Sequence, residues 1–255
     1  MKYRIGVTEA GDAGLDLSWT NKLRTNEVDG AIIITKNVCA EEFTCTLCEC
    51  FNRKPNIVLH STITGLPICL EPPCIPSSSE TIEKLNRLIL DEEFPRSNIV
   101  IRVDPIIPTQ EGLTAAERVI RLAAEFGYRR FRVSVIDMYP HVRERFKKIG
   151  YPLPYGDGFA PSAGHLARVD NLLSKMLEEY PWIHFESCAE KLRSAEAIGC
   201  VSERDLELMG LDLSEIYIDN EGVQRKGCLC YSGKVELLNH RHRCPNQCAY
   251  CYWKD

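Results

Sequence analysis

The sequence predicts an α/β fold, a TIM-like complete or partial (β/α) barrel, and three observations lead there. Short apolar runs suited to strands recur along the chain, stretches of helical periodicity separate most of them, and the residues at the run exits are unusually polar. The strand candidates are Ile5 to Val7, Ala31 to Ile34, Ile57 to Leu59, Ile99 to Val103, Phe131 to Ile136 and Trp182 to Phe185.

The helices between them carry start signals. Ser79 precedes an apolar stripe of Ile82, Leu85 and Leu88, and Thr114 with Glu117 has capping-box spacing ahead of Val119, Leu122 and Phe126. Leu166, Val169, Leu172, Leu173 and Met176 make a third stripe, and Ser202 is placed to cap a short helix ending near Gly210. These stripes are core-facing surfaces.

Repeated β-α units with right-handed crossovers close most naturally into a barrel or part of one, with functional groups gathered where strands end. An open doubly wound sheet is the alternative, and it uses the same strand ends. The exits read Thr35-Lys36-Asn37, His60 to Gly65, Arg102-Val103-Asp104-Pro105, Ser134 to Asp137 and Glu186-Ser187-Cys188-Ala189-Glu190. Five polar exits predict a lined cavity rather than five unrelated turns. Leu66 to Ser79 and Tyr151 to Gly164 are rich in Pro, Gly and Ser and are expected to be long loops over the mouth. With no internal repeat, the chain is expected to form a single domain over 1–255, in which 228–255 is the cluster segment.

Composition narrows the function classes. A chain of 255 residues with 44% hydrophobic residues can bury a sizeable core, and a net charge of -5 gives no global field to attract a polyanion. No apolar window approaches the roughly 20 residues of a membrane span, so a cytoplasmic location and no membrane partner are expected. Thirteen cysteines, an odd number in a long chain, read as thiols and metal ligands rather than a disulfide scaffold.

The chemistry-bearing array is Cys244-Pro245-Asn246-Gln247-Cys248-Ala249-Tyr250-Cys251, a Cys-x3-Cys-x2-Cys spacing. Three thiolates on one loop can each hold an iron of one [4Fe-4S] cubane and leave the fourth iron open to a small ligand. Ferredoxin runs need a fourth nearby cysteine, and zinc ribbons use paired Cys-x2-Cys arms, so neither matches.

The array resembles the radical SAM signature, with Tyr250 as the aromatic residue before the last cysteine. Its Cys-x3-Cys-x-Tyr-Cys-Tyr form is similar to spore photoproduct lyase and photolyase-like radical SAM proteins. The resemblance implies S-adenosylmethionine chelated at the open iron, reductive cleavage to a 5'-deoxyadenosyl radical, and Tyr250 packed near the adenine. It also implies a one-electron reductant such as flavodoxin or ferredoxin. A nucleobase or thymine-derived group in DNA is the implied substrate, with modification, isomerase or lyase chemistry. The array lies late in the chain, whereas radical SAM enzymes carry it after the first strand, so a permuted order is expected, with a run such as Val235 to Leu238 delivering the loop.

That arrangement also resembles a bacterial family of unknown function with a C-terminal radical-SAM-like cysteine cluster. The likeness runs from about Ile32 to Tyr252, through Thr35-Lys36-Asn37, Thr62-Ile63-Thr64-Gly65, Leu70-Glu71-Pro72, Arg102 to Pro105, Cys188-Ala189-Glu190 and the final cysteines. Thr8-Glu9-Ala10-Gly11-Asp12 departs from the family's Ser-Arg-Arg-Thr-Asp type of start. Cys188, Cys200, Cys228 and Cys230 fall at positions resembling that family's cysteines and are candidates for a second iron-sulfur cluster or a zinc ion.

Arg102, Asp104 and Asp137 are the candidate catalytic groups, and Thr62, Thr64 and Ser134 candidate partners for ribose or substrate hydroxyls. His60 and Glu186 are expected to be pocket walls. Cys39, Cys45, Cys48 and Cys50 form a denser group on a loop and short helix, a metal-binding candidate without a familiar spacing, while Cys69 and Cys74 have no assigned role. His240-Arg241-His242-Arg243 is a short basic run that either contacts phosphate or is a solvated face. Two other function classes stay open: a non-catalytic metal protein whose final cysteines close a site with Cys228 or Cys230, and a metal-dependent hydrolase using His60, Asp104 and Glu186.

Overall fold

The computed structural model describes residues 3–188, 190–212, 214, 229, 233–238 and 244–253. Eight parallel strands form one sheet: β1 (Ile5–Val7), β2 (Gly30–Thr35), β3 (Ile57–Thr62), β4 (Ile99–Ile106), β5 (Arg130–Val135), β6 (His184–Cys188), β7 (Glu196–Ile198) and β8 (Lys234–Glu236). Their order is β7-β6-β5-β4-β3-β2-β1-β8, so successive strands are neighbours and the last lies beside the first. A doubly wound sheet would reverse direction at a switch point. This order has none, which removes that alternative. The sheet curls into half of a barrel, and among the described residues β7 and β8 do not pair, so the ring is not complete.

Alternation along each strand divides the sheet into two faces. Ala31, Ile33, Ile57, Leu59, Ile99, Ile101, Phe131, Val133 and Phe185 share a buried cluster with α2 (Glu41–Arg53), α3 (Ser78–Asp91), α4 (Gln110–Glu125) and α6 (Ala163–Glu179). On the other face Ile5, Val7, Ile32, Val58 and Val100 pack against Leu206 and Met209 of α7 (Glu203–Leu208). Two shorter helices, α1 (Thr20–Arg24) and α5 (Pro140–Lys148), complete the set.

Several boundaries differ from expectation for identifiable reasons. Ser77, not Ser79, caps α3, because only Ser77 makes the reciprocal pair with Glu80. Thr109 caps α4; Thr114 lies inside it, its hydroxyl donating to the Gln110 carbonyl at 2.9 Å, which is how threonine behaves within a helix. Trp182 lies outside β6, half exposed. The segment carrying Cys45, Cys48 and Cys50 is a full 13-residue helix.

The inner face is where apolar alternation breaks down. Arg130 and Arg132 of β5 and Glu186 of β6 are buried there. Glu186 accepts from Arg130 at 2.5 Å and from Arg132 at 2.7 Å. Asp205, which closes the capping box of α7 with Ser202, also pairs with Arg130 at 2.7 Å and Arg132 at 3.3 Å. His60 stands 3.7 Å from the same carboxylate. One cap residue thus fastens a helix into the open side of the sheet. Burial alone would raise Asp205 and Glu186, but the arginines prevail and hold both below the usual carboxylate range.

Two stability predictions follow from this arrangement. Asp205→Ala leaves two guanidinium groups under-compensated in the interior, a class of change that costs about 3–5 kcal/mol, to be read from the urea midpoint. His60 is fully buried, and burial pushes its imidazole down from 6.5 to about 3. The unfolded chain therefore binds a proton below pH 6.5 that the folded chain refuses, so stability falls as pH drops from 6.5 toward 3. Each proton of difference is worth roughly 1.4 kcal/mol per pH unit. His60→Gln should flatten the urea-derived stability slope in that window by about that amount; an unchanged slope would assign the acid sensitivity to other groups.

Candidate functional site

The carboxyl ends of the strands meet the segment 244–253, which lies across them in two successive turns. Gln247 N donates to the Cys244 carbonyl at 3.1 Å and Cys251 N to the Cys248 carbonyl at 3.0 Å. Gln247 adopts a φ of 42°, a left-handed conformation that lets the chain reverse between the first two cysteines. Cys248 is buried and Cys244 and Cys251 half-buried.

Asp12 pegs this segment to the sheet. One carboxylate oxygen accepts from Gly14 N at 2.9 Å and Thr35 Oγ1 at 2.5 Å; the other accepts from Lys36 N at 2.9 Å, Asn37 Nδ2 at 3.0 Å and Asn246 Nδ2 at 2.7 Å. Asn37 Nδ2 also donates to Asn246 Oδ1 at 3.0 Å, so the residue between Cys244 and Cys248 is gripped twice. Gly14 is required, because a Cβ there would come within 2.6 Å of the Asn37 carbonyl and the Thr35 hydroxyl.

A second tie involves Lys36, Glu71 and Tyr250. Lys36 Nζ donates to Glu71 Oε1 at 2.9 Å and lies 5.2 Å from the centre of the Tyr250 ring, while the Tyr250 hydroxyl donates to Glu71. Thr64 also hydrogen-bonds that carboxylate. Burial by itself would raise Glu71, yet Lys36 and Tyr250 hold it low. Ala249 N donates to the Leu70 carbonyl at 2.9 Å, and Leu66, Leu70, Tyr151, Cys248 and Tyr250 share one apolar cluster. The two expected mouth loops do pack on the cysteine segment.

From the far side, α5 holds the final turn. Arg145 donates to the Cys251 and Trp253 carbonyls at 2.7 and 3.1 Å, and His141 Nε2 lies 2.8 Å from the Tyr252 carbonyl. Trp253 Nε1 donates to the Glu9 carbonyl at 3.1 Å. Beneath this turn Arg102 pairs with Asp104, and Asp104 accepts from the Ser134 hydroxyl. Burial pushes Asp104 up, but Arg102 and Ser134 outweigh it and keep the carboxyl ionised. Tyr252 is in electrostatic contact with Asp104, Arg102 and Cys251, which links this group to the cysteines.

The structure therefore brings together Arg102, Asp104 and Ser134, and separately Thr64, Tyr250 and Cys248. Thr62 sits on β3 in register with Arg102. Asp137 lies beyond β5 and faces Tyr155, whose phenol is pushed up by burial and by that carboxylate. Cys200 is found beside Glu9 and Arg102. Burial and Cys200 push Glu9 up to about 7 against the pull of Lys234, 2.7 Å away. Cys228, Cys230, the His240 to Arg243 run and the side chain of Cys188 lie outside the described residues, as does Ala189. The structure does not bring the hydrolase grouping together: His60, through Asp205, and Glu186 belong to one buried network around Arg130 and Arg132, whereas Asp104 pairs with Arg102. Cys48 and Cys50 are buried in the helical layer, where burial raises both thiols, Cys48 to about 11. Cys39 reaches the Glu80 carbonyl of α3. That group is packing, not a ligand set. Asp12, Lys36, Glu71 and Arg145 carry the loop, and the sequence singles out none of them individually; an Asp two residues before a Gly is the one local hint.

Among the described residues no three His, Cys, Asp or Glu side chains are placed to hold a metal ion. A lone ion draws its thiolates into direct contact with one another, whereas a cubane offers a separate iron to each and accepts a wider triangle. Cys251 is in electrostatic contact with both Cys244 and Cys248. Burial pushes Cys244 up to about 11 and Cys248 to about 12, the second opposed by the Lys36 ammonium. Three cysteine thiols on one described segment, with no fourth on it, are the donor set that a cluster with one open iron would use.

A sequence model of the family described as "Domain of unknown function (DUF1848)" matches residues 17–253. No curated protein matches the sequence. The comparison with solved structures gives matches to a probable tagatose 6 phosphate kinase from Sinorhizobium meliloti 1021 and to Proline Utilization A (PutA) from Corynebacterium freiburgense. The first is 12% identical with a TM-score of 0.37 and covers 84% of this chain but 44% of its own. The second is 16% identical with a TM-score of 0.38 and covers 81% of this chain and 25% of its own. The chain thus spans less than half the length of either.

If Asp12 is the peg, Asp12→Ala leaves five donors, four of them buried, around an empty position. It should cost about 3–5 kcal/mol. It should also raise the rate at which a neutral alkylating reagent modifies Cys248 in the folded protein; an unchanged rate would mean the loop is held elsewhere.

Proposed function

We propose that this chain, which belongs to the DUF1848 family, is a radical SAM enzyme built on a partial, permuted (β/α) barrel. The observation that carries the proposal is a Cys-x3-Cys-x2-Cys loop pinned by buried polar contacts across the carboxyl ends of a parallel sheet. The strand order supports the permuted reading: β8 lies beside β1 and leads into the loop, so a late segment occupies the place of an early one.

Cys244, Cys248 and Cys251 would hold a [4Fe-4S] cluster, which when bound supplies the electron that cleaves S-adenosylmethionine to a 5'-deoxyadenosyl radical. The chain's own residues then bind and orient. Arg102, kept charged by Asp104, offers N–H donors to a carboxylate or carbonyl; Asp104 and Ser134 offer an acceptor and a hydroxyl on the same side. Thr62, Thr64 and Asp137 line the adjoining exits and serve ribose or substrate hydroxyls. Tyr250, buried against Glu71, walls the cysteine loop from water. The loops after β3 and β5 cover the mouth and exclude solvent and oxygen.

A nucleobase, free or in DNA, is the substrate class this proposal adopts, with isomerase, lyase or other modifying chemistry. Its support is the cysteine motif's likeness to photolyase-like radical SAM proteins and an aromatic group at the rim. Tyr139 packs edge-on to Phe159 at 4.9 Å and lies 6.5 Å from Tyr252, with Phe159 and Tyr252 half exposed. The proposal includes a flavodoxin- or ferredoxin-like reductant, a cytoplasmic setting, and a second metal at Cys188, Cys200, Cys228 and Cys230. No helix among the described residues is long and apolar enough to cross a membrane.

Anaerobic reconstitution with iron and sulfide should give absorbance near about 400 nm. Added reductant and S-adenosylmethionine should then yield 5'-deoxyadenosine. Cys248→Ala should lose both signals while the far-ultraviolet dichroism persists. Stoichiometric zinc without sulfide would instead establish a closed, non-catalytic site.

A further inference from the structure

We infer that Lys36 and Glu71 are a tuning pair, two opposite charges sealed under the cysteine loop that set the reduction potential of the group the loop holds. The inference rests on the cluster reading above and adds to it a role for two residues outside the cysteine motif.

The pair is sealed: the Lys36 side chain is 12% exposed and that of Glu71 11%. The two come from different strand exits and meet at 2.9 Å directly against Tyr250, whose hydroxyl shares the Glu71 carboxylate. Tyr250, which touches both charges, shares a buried cluster with Cys248 two residues before it.

The loop has other ties besides this pair. Asp12 and Asn246 fix its first turn, Arg145 its last, and the Leu70 carbonyl its middle. Apolar residues of similar volume usually stabilise a fold at least as well as a buried ion pair, which suffers a desolvation cost. A sealed pair beside a chemically active thiol is therefore more informative as a fixed local field than as glue.

The sign of that field follows from charge. Three thiolates already make the loaded loop negative, and reduction adds one electron. A nearby ammonium favours the reduced state and moves the potential upward; a nearby carboxylate does the reverse. Lys36 and Glu71 are thus positioning residues with opposed effects, and their balance sets where a one-electron donor can load the site.

The test uses the full chain reconstituted anaerobically with iron and sulfide and titrated with dithionite, following the reduced-state EPR signal without S-adenosylmethionine. Lys36→Gln should shift the midpoint to more negative values, Glu71→Gln to less negative values, and the double variant should return to the wild-type midpoint. Lys36→Arg, which keeps the charge, should stay at wild type. A merely structural pair would lower iron content in both single variants without opposite shifts. Single variants with wild-type iron and sulfide that shift the same way, or not at all, overturn the inference and leave the cluster reading standing. A wild-type protein that binds no iron-sulfide group overturns both. Should Lys36→Gln fail to fold, the direction of the Glu71→Gln shift alone decides, and a negative or absent shift refutes the pair.

Discussion

Everything at the mouth of this sheet depends on a carboxylate that water does not reach. Asp12 stands just past β1 and is satisfied by five donors from three separate stretches of chain. A buried carboxylate is expensive to desolvate and becomes favourable only when hydrogen bonds surround it. Because its donors include the exit of β2 and Asn246, meeting that requirement also determines where the cysteine loop lies. The thiols inherit their positions from a group that is not itself part of the metal chemistry.

The inner face of the sheet works on two levels. Toward the amino ends, Val58, Val100 and Ile32 meet α7, and Asp205 fastens that helix to Arg130 and Arg132. Toward the carboxyl ends, the same strands continue into Arg102, Asp104 and Ser134. A sheet covered on both faces normally reads as unbroken apolar strands. Here alternate positions on β4 and β5 hold charge, and the charge is tolerated because it is paired across strands and against one helix cap. The lower level makes a rigid floor, and the upper level leaves polar groups beneath the loop.

Much of this frame was legible in residue order. β1 matches its apolar run residue for residue, β2 to β4 extend theirs by a few positions, β5 is shifted from its run by one residue, and Ser202 caps α7 as its spacing implies. These features are local, since strand and cap signals depend on neighbours within a few positions. What was not legible depends on partners far away. Asp12 matters through contacts 23 to 234 residues distant, and Lys36 through one 35 residues distant. α5 was missed because its nine residues are mostly charged, with only Val142 and Phe146 buried. β7 is three residues long, with two exposed. The three cysteines stood out by their spacing and by Tyr250 beside the last of them; the buried polar contacts around them did not.

The anchors of the cysteine loop all precede it in the chain: residues 9–12, 35–37, 70–71 and 141–145 against a loop at 244–253. A ribosome therefore releases every anchor before it makes the first of these thiols. The socket can form around nothing, and the sulfurs arrive last, into a surface already shaped. Any group that the thiols hold would then be taken up late in the life of the polypeptide, and a chain interrupted shortly before Cys244 would carry the anchors with no thiol loop to seat on them.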